Sequence, residues 1–228
     1  MLPTADLQDN LFYRIILYSY WFILCNVYFF LLCIPASVFL LFQWDDSNLF
    51  TWIIFFLVNI PIGPALTASF SVMGKIVKEK QVEITKTFFQ SLKVNFVQSA
   101  LFFSIQCILI TILMTDIVFL NNYPIGRYIR PLLYVLLLMN VVVGLYVYPL
   151  LSRFFVTNKS ALKLSIWCSF TKWKTTLLLL ALLLLTGFIL YYIPKVSFYF
   201  FISPFCFAVM LIMNNLFQDI ETMFHKRH

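Results

Sequence analysis

The sequence predicts an all-α fold: a polytopic transmembrane helix bundle of about six spans, with both termini in the cytoplasm. Three observations lead there. The 228 residues are 62% hydrophobic and 11% charged, against roughly half and a quarter in soluble domains. A chain of this length leaves much of its surface uncovered on folding, so the apolar surplus needs lipid as its solvent. The charges are also clustered, leaving charge-free runs at 15–44, 47–74, 94–115, 131–152, 175–194 and 196–218.

About 20 residues rising 1.5 Å each cross a hydrocarbon core of roughly 30 Å. Helices satisfy their own backbone groups there. The chain therefore reads as one domain, 1–228, with spans near 15–42, 50–74, 94–115, 131–152, 175–193 and 196–218. The first run is too long for a signal-peptide core and follows Asp6 and Asp9, so it is expected to be a retained span. Pro35, Pro61, Pro64, Pro149 and Pro204 lie in apolar runs and are expected to kink their helices.

Orientation follows from lysine and arginine in the connections. Taking alternate connections together, one side holds 13 of the 16 basic residues and the other holds 3. The rich side includes Lys75, Lys78, Lys80, Lys86 and Lys93 after the second span, and Arg153, Lys159, Lys163, Lys172 and Lys174 after the fourth. It is assigned to the cytoplasm. The net charge of +7 is thus a topology signal. With no recognisable binding motif beside it, nucleic acid is not an expected partner.

The second span carries the most local information. Pro64 suits the first turn of a helix, where its missing N–H costs nothing, and Gly63 permits close approach. A helix is expected to restart at Gly63-Pro64 and run to about Lys75. Its start either forms a ligand site near Thr67 or adjusts packing. Ala65, Ala68, Ser69 and Ser71 favour close helix contact. Asn59 and Asn140, shortly before later prolines of their spans, are candidates for ligand contact or for hydrogen bonds across helices.

Two connections read as basic and amphipathic. After Lys75, Phe89, Leu92 and Phe96 recur at i, i+3 and i+7, with Phe88 beside them and Lys86 and Lys93 able to reach headgroups. After Pro149 and Arg153, Ile166, Phe170 and Trp173 recur at i, i+4 and i+7, with Lys163 alongside. Trp167 and Trp173 are expected as interface anchors. Both segments are expected to lie at the inner membrane surface, against lipid headgroups or a partner. Spans 2–3 and 4–5 thus look like two versions of one unit: kinked span, basic amphipathic segment, span.

At "IGPALTASFSVMGKIVKEKQVEITKTFFQSLKVNFVQS" (62–99) and, more weakly, "YVYPLLSRF" (146–154), the chain resembles the YesL-like family of bacterial membrane proteins. The "GPALTA" turn, the lysine-rich exit and the "FFxSxKxNF" pattern carry the resemblance. That family has no established biochemical activity. Its members often neighbour carbohydrate ABC importer components in bacterial genomes, so the resemblance implies an accessory role beside the permease or ATPase subunits of such an importer in the cell membrane.

Catalytic chemistry is not visible. The apolar runs hold no titratable Asp, Glu, Lys, Arg or His, which disfavours a proton-coupled pump. His225 and His228 lie in the terminal "HKRH". No P-loop or H-E-x-x-H pattern occurs. Cys25, Cys33, Cys107, Cys168 and Cys206 show no C-x-x-C spacing, so no metal or disulfide framework is expected. No catalytic residue and no cofactor is predicted. The expectation is a non-enzymatic accessory protein; the alternative is a small solute transporter in its own right. Self-association is left open.

Overall fold

The computed structural model describes residues 11–41, 49–79, 82–154, 156–192 and 201–225. Helix α1 spans Leu11–Leu41, α2 Leu49–Asn59, α3 Ile62–Glu79, α4 Ile84–Phe119, α5 Gly126–Arg153, α6 Asn158–Thr171, α7 Trp173–Tyr192 and α8 Ile202–His225. A single 3-10 turn, Leu120–Asn122, follows α4. No strand occurs among the described residues. The fold is an all-α polytopic bundle.

Among the described residues, five segments are long and apolar enough to cross a membrane: Phe12–Phe39, Ile54–Glu79, Ile84–Phe119, Gly126–Arg153 and Trp173–Tyr192. They correspond to the first five predicted spans. Of the sixth, 196–218, residues 196–200 lie outside the described residues, and 202–218 lie in α8, which is not among the five. With 24 residues, α8 is about 36 Å long, but its second half carries Asn214, Asn215, Gln218 and Asp219.

Helix α3 lies at the centre, packed against α1, α4, α5 and α8. Its sequence explains how four neighbours fit. Gly63, Ala65, Thr67, Ala68, Ser69 and Gly74 are all buried, and small side chains let helices approach closely. Thr67 and Ser69 donate their hydroxyls to the carbonyls of Gly63 and Ala65 one turn earlier, at 3.1 and 2.9 Å, so neither needs a partner on another helix. Phe70, Val72, Met73 and Ile76 join Val209, Met210, Met213 and Phe217 of α8 in the main apolar cluster.

The prolines act differently from one another. The chain turns at Ile60-Pro61 and restarts at Ile62, with the Ala65 N–H bonded to the Pro61 carbonyl at 3.0 Å. Pro64 thus stands in the first turn, as expected. Pro35 and Pro149 stay inside continuous helices.

The two expected surface segments also diverge. The first is not a separate in-plane helix: α4 runs unbroken for 36 residues, about 54 Å, because Ile84–Phe119 holds neither proline nor glycine. Its first turns project beyond a bilayer core. In the second unit the chain breaks twice, at Phe154 and at Lys172 (φ −103°, ψ 53°), and α6 is a helix of its own.

Helix α8 is tied to α1 by a buried polar contact. Asn26 Oδ1 accepts the Ser203 backbone N–H at 3.0 Å and the Ser203 hydroxyl at 2.8 Å. An N–H of the first helical turn is thereby satisfied from another helix. Asn26→Leu should lower stability by about 1–2 kcal/mol, read as an earlier thermal transition in detergent.

Candidate functional site

The lysine-rich connections and the end of α8 meet at one end of the bundle. Arg153, the last residue of α5, puts Nε and Nη2 each 3.1 Å from Glu221 Oε1 on α8. Lys78 of α3 reaches the same oxygen at 3.7 Å. The Arg153 guanidinium also lies 4.8 Å from the Phe217 ring centroid. Lys172 pairs with Asp219 at 2.7 Å. Reasoning from lysine and arginine counts missed both acids, although they close the last apolar run and the topology rule gives acids little weight.

This end opens into two adjoining clefts, one of about 180 Å³ between α3, α5 and α8 and one of about 290 Å³ between α3, α4 and α5. Both are bordered by Ser71, Lys75, Ser152 and Arg153. The smaller also meets Lys78, Glu79 and Glu221. The larger is lined by two cations, no carboxylate, and the polar side chains Thr87, Gln90, Ser91 and Asn95 of α4. Lys75, Lys78 and Arg153, predicted from separate connections, are thus brought together.

The other predicted residues are distributed as follows. Phe88 is fully buried against Tyr28 rather than at a surface: it sits on the α4 stripe that turns inward with Ile84 and Ser91. Phe89 is exposed and touches Tyr28. Lys86 forms an exposed pair with Glu83 at 3.4 Å. Lys93 and Lys163 are exposed, and Lys80 lies outside the described residues. Trp167 and Trp173 are exposed, as interface anchors require.

Gly63 and Pro64 are buried within α3. A Cβ on Gly63 would stand 2.5 Å from Phe103 Cβ and 2.7 Å from the Ser99 carbonyl oxygen. The glycine therefore sets the α3–α4 approach. Asn59 donates at 2.7 Å to Phe55 O in its own helix, not across helices as expected. Its side chain is spent on a carbonyl one turn back.

Asn140 does bond across helices, donating at 3.3 Å to Gln106 O on α4. Gln106 Oε1 accepts the Tyr148 hydroxyl at 2.8 Å, and Gly144 leaves the space that the Gln106 amide fills. An apolar cleft of about 240 Å³, lined by Phe102, Met139, Val143, Leu162 and others, lies beside this cluster.

Helix α6 packs with its small residues inward: Ala161, Ser165, Cys168 and Ser169 are buried. Leu162, Ile166, Trp167 and Phe170 face outward. Burial pushes the Cys168 thiol up to about 11, although Lys172 opposes the shift. The thiol is raised above its usual range, so the thiolate fraction at pH 7.5 is far below that of an ordinary cysteine. Maleimide labelling of Cys168 should be at least tenfold slower than that of a cysteine placed at exposed Phe170, and should rise with pH toward 11.

Residues 19–117 match the family described as "Protein of unknown function, DUF624". This stretch is similar to DUF624 proteins. The YesL-like family is itself a DUF624 family, so the match agrees with the resemblance carried by 62–99. The matched stretch includes the central helix α3 and the α4 wall of the larger basic cleft, while Ser152 and Arg153 on α5 lie beyond it. No curated protein matches the chain, and no solved structure does.

Proposed function

We propose that this protein is a non-enzymatic component of a bacterial cell membrane that assists a carbohydrate ABC importer, docking through its basic end. The observation that carries the docking is α6. A helix buried by alanine, serine and cysteine turns Trp167 and Phe170 outward between lysines, with Leu162 and Ile166 half-exposed beside the apolar cleft, and so carries large apolar side chains away from its own bundle core. Such a face is covered by lipid or by a partner. The importer, the inner-face orientation and the accessory role come from the family resemblance and the basic-residue count, which supply the partner class and the side.

The test is photocrosslinking in native membranes from a photoreactive side chain at Phe170, with one at lipid-facing Leu184 as the control. Permease or ATPase subunits attached from Phe170 but not from Leu184 support the proposal. Lipid adducts from both positions, with unchanged sugar uptake after deletion, overturn it. The alternative of a small transporter draws on the Gln106–Asn140–Tyr148 cluster at membrane depth. Solute flux in vesicles holding the purified protein alone would favour it.

A further inference from the structure

We infer that the larger cleft at the basic end is a binding site for a phosphate ester. Three features of its wall point there. Its charged lining is Lys75 and Arg153, without a carboxylate; Glu79 and Glu221 border the adjoining cleft, and Glu221 holds Arg153 and Lys78, which leaves Lys75 as the cation that can answer a phosphate's charge. Its hydroxyls have donor hydrogens left over: Thr87 Oγ1 accepts from Lys75 at 3.4 Å and Ser91 Oγ accepts from Asn95 at 3.3 Å. Each hydroxyl thus already accepts one bond within the wall while its O–H is unspent, and an incoming group is offered ammonium and O–H donors. Thr87, Ser91 and Asn95 are each less than a tenth exposed, so packing holds their donors in fixed positions on the wall. Cations combined with hydroxyl donors match the several acceptor oxygens of a phosphate. Val94, Leu151 and Phe154 complete the wall and suit the carbon side of an ester.

The cleft lies where charge-free runs meet lysines, so the phosphate can belong to a lipid headgroup or to a soluble ester. The shared chemistry is the phosphate with an adjoining alkyl or polyol carbon. The inference stands on the cleft and does not depend on the importer proposal.

Binding is measured on the intact protein in detergent by native mass spectrometry, with phosphatidylglycerol, phosphatidylcholine and glycerol 3-phosphate as probes. The expected result is retention of at least one anionic phosphate probe, with affinity falling about tenfold in Lys75→Gln and several-fold in Ser91→Ala. Lys93→Gln, an exposed lysine outside the cleft, is expected to change nothing. Retention of phosphatidylglycerol without competition from glycerol 3-phosphate assigns a lipid source; competition assigns a soluble one. Lys75 is exposed, so its variant should fold, and an unchanged melting temperature checks this. No retained phosphate probe, or equal losses in Lys75→Gln and Lys93→Gln, overturns the site.

Discussion

Gly63→Val should cost about 3 kcal/mol or more and is expected to abolish the monodisperse folded fraction in detergent. The two atoms that a Cβ would strike are Phe103 Cβ and the Ser99 backbone oxygen. Neither is the tip of a flexible side chain, so relief requires moving α4 away from α3. That contact is the most extensive between helices in the bundle, and Ser99 is itself held by a 2.6 Å bond to Asn95 O. Retracting α4 would also open the gap filled by Ala65, Ala68 and Phe103. Gly63→Ala should already be costly, at about 1–3 kcal/mol. The control is Gly187→Ala in α7, where an added Cβ meets nothing within 4 Å. There, loss of glycine's extra chain entropy should leave the protein as stable or more so. Size-exclusion profiles and thermal unfolding of the three variants decide the matter. Equal behaviour of Gly63→Ala and Gly187→Ala would show that α3 and α4 do not touch as described.

Arg153→Met should lower stability by about 2 kcal/mol. The Arg153 side chain is 12% exposed and Glu221 34%, so solvent screens the pair only in part. Removing the guanidinium leaves Glu221 with only the longer Lys78 contact and uncovers Phe217, whose ring face it occupies. Arg153 also ends α5, where a cation complements the helix dipole. The discriminating measurement is a double-mutant cycle: Arg153→Met with Glu221→Gln should cost less than the sum of the single changes. Arg153→Lys should rescue little, because an ammonium cannot place two N–H groups on Oε1 while covering the ring. Strict additivity would reduce the contact to a surface pair.

Much of this was legible in the chain. Composition and charge-free runs predicted six spans, and five of them appear as membrane-length helical segments among the described residues, since burial in lipid demands long apolar stretches whatever the packing. The helix restart at Gly63-Pro64 was readable because proline's fixed φ and missing N–H act locally. Cationic Lys75, Lys78 and Arg153 stood out as charges in an apolar sequence. Their meeting did not, because Glu221 and Thr87 approach them across tertiary distances. Phe88 was misplaced for the same reason: aromatic periodicity marks a stripe without saying whether protein or lipid covers it. The in-plane segment expected after Lys75 failed because nothing between Ile84 and Phe119 stops a helix.

The sequence by itself determined that this chain is an all-helical, multi-span protein with its positive charge gathered on alternate connections, because those properties depend on solvent transfer and local backbone chemistry. Only the tertiary structure decided that α3 is the hub, that α6 turns its large apolar side chains outward, and that lysine, arginine and hydroxyls from three helices share one cleft. Those facts depend on which faces meet, and in a sequence where nearly every face is apolar, hydrophobicity cannot choose between a neighbouring helix and lipid. Small residues at the point of contact make that choice.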